Sequence, residues 1–83
     1  MSAPRLITHL KALRGKAGLT QAELAARVGV SRKTINTVEN GVFVPSTLLA
    51  LKIARELDLP VEAIFALAPE DEANRVRREG ETT

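Results

Sequence analysis

Cysteine is absent from the 83 residues, which excludes disulfides, thiolate metal sites and a cysteine nucleophile, and agrees with a reducing compartment, the cytoplasm. Tryptophan and tyrosine are missing as well. Two phenylalanines make aromatics 2% of a chain that is 45% hydrophobic, so a core must come from Leu, Ile, Val and Ala at helical spacing. Histidine occurs once, at His9, and neither a histidine metal cluster nor a serine–histidine relay can be assembled around one imidazole. No Gly-rich phosphate loop or paired-carboxylate spacing is present. The chain is therefore not expected to be an enzyme or to hold a metal or cofactor. No apolar run approaches the roughly 18 residues of a spanning helix, and the start lacks a secretory apolar segment; no membrane association is expected.

Eighty-three residues suffice for one small core and not for two. The formal charge of +2 conceals a division at Pro69. Through that residue nine Lys/Arg stand against five Asp/Glu, a balance of +4, whereas residues 70–83 hold three Arg and five acids, a balance of −2. Residues 1–69 read as a basic domain, suited to a polyanion although also compatible with an ordinary solvated surface. Residues 70–83 read as a charged tail with too little apolar surface to repay ordering; it is expected to be mobile, with a frayed helical stretch allowed over Glu72 to Arg78.

Helical periodicity divides the domain into five segments. Leu6, Leu10, Leu13 and Ala17 recur at three or four, predicting a first helix from about Arg5 to Ala17, stopped at Gly18. Thr20-Gln21-Ala22-Glu23 is a capping box opening a second helix that ends near Val28. Gly29 follows, and Ser31 is already the next N-cap, so only a tight turn leads into the third helix. That helix buries Ile35 and Val38 and leaves Arg32, Lys33, Asn36 and Thr37 outward before Asn40-Gly41. Ser46 caps a fourth helix whose core stripe is read as Leu48, Leu51, Ala54 and Leu57, ending at Asp58. Pro60 introduces a fifth, Val61 to about Ala66.

Two short helices joined by a tight glycine turn, the second presenting a polar face, have the geometry that sets a helix in the DNA major groove. The residues carrying it, Gly18-Leu19-Thr20-Gln21-Ala22-Glu23-Leu24-Ala25 with Gly29-Val30-Ser31, Ile35 and Glu39-Asn40-Gly41, closely resemble the Cro/C1-type helix-turn-helix family, over roughly Leu6 to Leu67. The likeness is strongest to compact bacterial regulators with little beyond the DNA-binding domain. It implies an all-α, five-helix lambda-repressor-like fold with the helix-turn-helix at about 20–40. In some compact relatives a short N-terminal strand pairs with one after helix 5; Leu6-Ile7 and Ala66-Leu67-Ala68 are the segments that would supply it.

Residue types and resemblance together give the roles. Arg32 and Lys33 open the third helix with reach to guanine O6 and N7, and Asn36 and Thr37 follow for adenine edges or a thymine methyl. A merely solvated helix face is the alternative for Arg32 and Lys33, and the surrounding motif argues against it; Lys33 suits a phosphate equally well. Thr20, Gln21, Ser31 and Asn40 match phosphate-contacting positions of the family. Ala25 is the small residue between helices 2 and 3, and Gly29 takes a positive φ in the turn. Arg14 and Glu39 match an ion pair of relatives, with two solvated charges as the alternative. Departures are the apolar loop Val42-Phe43-Val44, where relatives often carry polar residues, Gly15 within helix 1, and Asp58 in place of a frequent helix-ending glycine.

One recognition helix makes few base contacts, and related proteins dimerise so that two helices read half-sites about 34 Å apart. A homodimer is therefore expected, drawing its interface from Leu49, Ile53, Leu59, Val61 and Phe65 unless these complete the protomer's own core. The resemblance implies a transcriptional regulator, in particular a repressor that occludes a promoter on double-stranded DNA, associated with the nucleoid when bound. The same domain serves two rivals. One is an antitoxin-type module that binds a protein through the tail; the other is a restriction-modification controller.

Overall fold

A computed structural model describes residues 6–68. The expectations for the tail, 70–83, lie outside the described residues. In order the elements are β1 (Leu6–Thr8), α1 (Leu10–Lys16), α2 (Gln21–Val28), α3 (Arg32–Glu39), α4 (Thr47–Leu57), α5 (Val61–Ile64) and β2 (Phe65–Leu67). Five helices enclose the core, and the two strands form an antiparallel pair with Leu6 opposite Leu67 and Thr8 opposite Phe65.

The pairing corrects the first helix. Its expected start at Arg5 gives way to β1, and α1 begins only at Leu10, because Leu6 to Thr8 finds ladder partners in β2 and the His9 amide donates to the Ile64 carbonyl at 2.8 Å. Thr8 Oγ1 then accepts from the Leu10 amide at 3.1 Å, satisfying one of the free donors of the helix start. Leu6 still reaches the core, from the strand. The same pairing shortens α5, which was expected to run to about Ala66: at Phe65 the backbone becomes extended, φ −124° and ψ 142°.

Local signals fix the remaining ends. Thr20 Oγ1 accepts from the Glu23 amide at 3.0 Å while the Glu23 carboxylate accepts from the Thr20 amide at 2.8 Å, completing the capping box. Those hydrogen bonds, the backbone one first, hold the Glu23 carboxyl below its ordinary pKa. Ser31 and Ser46 cap α3 and α4, each accepting an amide at 3.1 Å. Gly29 closes α2 in the left-handed region, φ +77°, and Asp58 takes the same role after α4 at φ +56°.

Each helix contributes a fully buried anchor: Leu10 from α1, Leu24 from α2, Ile35 and Val38 from α3, Ile53 from α4 and Ile64 from α5. α2 packs against both α3 and α4. On α4 half of the expected stripe holds. Ala54 is buried and Leu57 packs on the core as expected, whereas Leu48 and Leu51 are 63% and 53% exposed and Leu49 and Ile53 are buried instead. The cause is spacing: 48, 51, 54 and 57 step by three and drift around the helix, while Leu49, Ile53 and Leu57 step by four and stay nearer one face.

Three residues expected at an interface between copies are corrected accordingly. Leu49, Ile53 and Phe65 belong to the protomer's own core, and Leu59 and Val61 are half-buried against it. No helix among the described residues is long and apolar enough to cross a membrane.

Candidate nucleic-acid interface

α3 is held by its apolar side and presents its polar side. Ile35 and Val38 face the core, one turn apart, so Arg32 and Lys33 at the N-terminal end stand exposed. Ala25, 3% exposed, sits where α2 and α3 approach, and the Gly29 turn sets the angle between them. A larger side chain at Ala25 would drive the two helices apart.

A polar network fixes this pair of helices from behind. Arg14 of α1 donates through Nε and Nη2 to the two Glu39 oxygens, at 2.5 and 3.2 Å, and through Nη1 to the Leu19 carbonyl at 2.7 Å. The expected Arg14–Glu39 ion pair is thus formed, with the Glu39 side chain almost fully buried. Burial pushes the Glu39 carboxyl up, but the hydrogen bonds from Arg14 and Gln21, together with the charges of Arg14 and Lys11, outweigh it and hold the pKa below the ordinary carboxylate value. The hydrogen bond to Glu39 raises the Arg14 pKa despite desolvation.

Gln21 continues the network toward the exposed face. Its Nε2 donates to Glu39 Oε1 at 2.9 Å and to Asn36 Oδ1 at 3.2 Å, and its Oε1 accepts from Arg32 Nη1 at 3.3 Å. Gln21, expected among the phosphate contacts, is therefore a bridge from α2 to three residues of α3, with its carboxamide engaged within the protein. Asn36, expected to read bases, is half-buried with its carbonyl oxygen turned to Gln21. Sequence alone did not signal this bridge, since residues 21, 36 and 39 meet only through the packing of α2 on α3.

The other expected contact residues lie around the same face. Thr20 and Ser31 are exposed N-caps, and Asn40 is the exposed cap after α3. Thr37 is half-buried and donates its hydroxyl to the Thr34 carbonyl at 2.9 Å. Beside Lys33 and Thr37 runs an open groove of ≈ 360 Å³, completed by Ser31, Thr34, Val42 and Phe43. Thr34 was missed in the sequence reading, although its position three residues from both Ser31 and Thr37 puts it on their side of the helix.

The helix-turn-helix family model HTH_3 matches residues 10–64, which takes in all five helices. An uncharacterised HTH-type transcriptional regulator of Archaeoglobus fulgidus is 47% identical over 64 residues, 77% of this chain and 90% of its own length. Another, YgzD of Bacillus subtilis, is 42% identical over 62 residues, 75% of this chain and 94% of its own. Among solved structures, the restriction-modification controller protein C.AhdI of Aeromonas hydrophila superposes with a TM-score of 0.61 at 36% identity, over 64% of this chain and 80% of that one. The clp gene regulator ClgR of Corynebacterium glutamicum gives 0.62 at 28% identity, over 65% and 57%. The chain belongs to the Cro/C1-type helix-turn-helix family of DNA-binding transcriptional regulators.

Proposed function

We propose that this regulator is a repressor that binds a two-fold symmetric operator as a homodimer and blocks transcription by occupying a promoter. The observation that carries the reading is the exposed pair Arg32 and Lys33 on the first turn of α3, backed by the Arg14–Glu39–Gln21 network, whose last member touches Arg32 at 3.3 Å. Arg32 reads guanine; Lys33 serves a base acceptor or a phosphate. Thr20, Ser31 and Asn40 contact the sugar–phosphate backbone, fixing register without selecting sequence.

Dimerisation doubles the few base contacts of one short helix. Its surface is the outward side of α4, where Leu48 and Leu51 are exposed beside Val44, 65% exposed. Next to them an apolar groove of ≈ 240 Å³ includes Leu6, Pro45, Ala50 and Val61 and has no charged residue in its lining. A face bearing both an aliphatic ridge and an aliphatic groove suits an isologous contact.

Selection from a random double-stranded DNA pool at about 0.15 M salt tests the reading. Enrichment of an inverted repeat with half-sites about 34 Å apart, together with a protomer pair in sedimentation, is the expected result. Binding with no enriched sequence, or a monomer on a single half-site, overturns it. A narrower reading, control of restriction-modification genes, is favoured by the 36% identity to C.AhdI and uses the same operator mechanism.

A further inference from the structure

The groove beside the start of α3 has more apolar surface than a phosphate contact requires. Two of its walls are Val42 and Phe43, 78% and 46% exposed. The loop bearing them is fastened to α3: the Val42 and Phe43 amides both donate to the Thr37 carbonyl, at 3.0 and 3.2 Å, after Gly41 reverses the chain at φ +75°. The opposite wall holds Thr34 and Thr37. Thr37 spends its hydroxyl on the Thr34 carbonyl at 2.9 Å, and the Thr34 hydroxyl lies 3.0 Å from that of Ser31. With the Thr37 O–H donated to the helix backbone and the Thr34 hydroxyl paired with that of Ser31, the two threonines offer the cleft methyl groups and acceptor oxygens but no free Thr37 donor. Lys33 and Ser31, both exposed, complete the lining.

An apolar cleft with a cation in its lining and continuous with the DNA-facing end of α3 calls for an apolar group carried on a polyanion. In the major groove only one base edge offers such a group, the 5-methyl of thymine. We infer that the cleft formed by Thr34, Thr37, Val42 and Phe43 is a thymine-methyl site, so that this regulator selects thymine at one position of each half-site through van der Waals contact rather than hydrogen bonding. The inference rests on the proposed operator binding and adds a specificity determinant outside α3 itself, Phe43, with Val42 beside it.

Deoxyuridine scanning of the selected operator tests it. Each thymine is replaced in turn by deoxyuridine, which removes the methyl and leaves base pairing intact, and binding is measured with wild type, Phe43→Ala and Val42→Ser. At one thymine per half-site wild-type affinity falls about fourfold, the factor corresponding to one buried methyl. In Phe43→Ala that position becomes indifferent to the methyl while the other positions keep their preferences, and Val42→Ser weakens the dependence. Both side chains lie outside the core, and circular dichroism verifies folding. A selected operator with no methyl-sensitive thymine, or a methyl dependence unchanged in both variants, overturns the inference and leaves operator binding standing. A pool that yields no preferred sequence overturns both.

Discussion

Glu39 shows how one residue joins stability to recognition. Its carboxylate is buried, yet its pKa is depressed, because Arg14 and Gln21 supply the hydrogen bonds that water would otherwise give. A depressed carboxyl contributes stability that is present above its unfolded pKa of about 4.3 and is lost as pH falls through the folded value. Glu39→Gln is expected to cost about 1–3 kcal/mol at neutral pH, since Arg14 is left facing a neutral partner in a nearly dry site. Urea titrations across the acid range should show the gap between wild type and variant closing as pH falls through the folded pKa. A gap independent of pH would mean that the pair's charge does not matter. Gly15 gives the opposite case: a Cβ built there meets nothing within 4 Å, and its φ is not positive. Gly15→Ala should therefore stabilise by about 0.5–1 kcal/mol, read as a raised melting temperature with operator affinity unchanged. At Gly29, with φ +77°, the same substitution should destabilise.

Among the elements, α4 separates two kinds of leucine. Ile53→Ala opens a cavity beneath the helix and is expected to cost about 2–5 kcal/mol, seen in equilibrium unfolding. Leu51→Glu on the outward side should leave the fold intact and convert the proposed dimer to monomers in sedimentation; a dimer that survives it places the interface elsewhere. This helix also marks where the sequence was hard to read. Apolar residues at 48, 49, 50, 51, 53, 54 and 57 permit two stripes, both reaching Leu57, and what separates them is spacing: steps of three drift around the helix, whereas 49, 53 and 57 stay nearer one face. By contrast, α2 and α3 were legible nearly to the residue, because their ends are written locally in Thr20, Glu23, Gly29 and Ser31. β1 was legible only through the family resemblance, which offered Leu6-Ile7 and Ala66-Leu67-Ala68 as a strand pair; by periodicity Leu6 and Leu10, four apart, mimic one helix while serving a strand and a helix, and the pairing joins Leu6 to Leu67 and Thr8 to Phe65, far apart in the chain. Likewise the sequence marked Arg32 and Lys33 as outward, and the resemblance offered Arg14 with Glu39 as a pair, whereas the Gln21 bridge and the Phe43 cleft exist only once helices pack.

For the molecule as a whole, the basic excess of residues 1–69 is spread thinly, so DNA affinity should rest on a few placed cations and not on a general field. Lys52 lies on α4, not on the helix-turn-helix, and is half-buried, and Lys52→Ala should alter neither operator affinity nor its salt dependence. Arg32 is the cation on which the account depends. The decisive measurement is binding of wild type and Arg32→Ala to the selected operator and to its single-base variants. The account predicts a loss of about 5–150-fold per half-site, corresponding to about 1–3 kcal/mol, together with indifference at one base pair of each half-site where wild type demands guanine. An equal loss on every sequence, with the base preferences intact, would contradict it: Arg32 would then be a phosphate contact, and α3 would not read the operator through it.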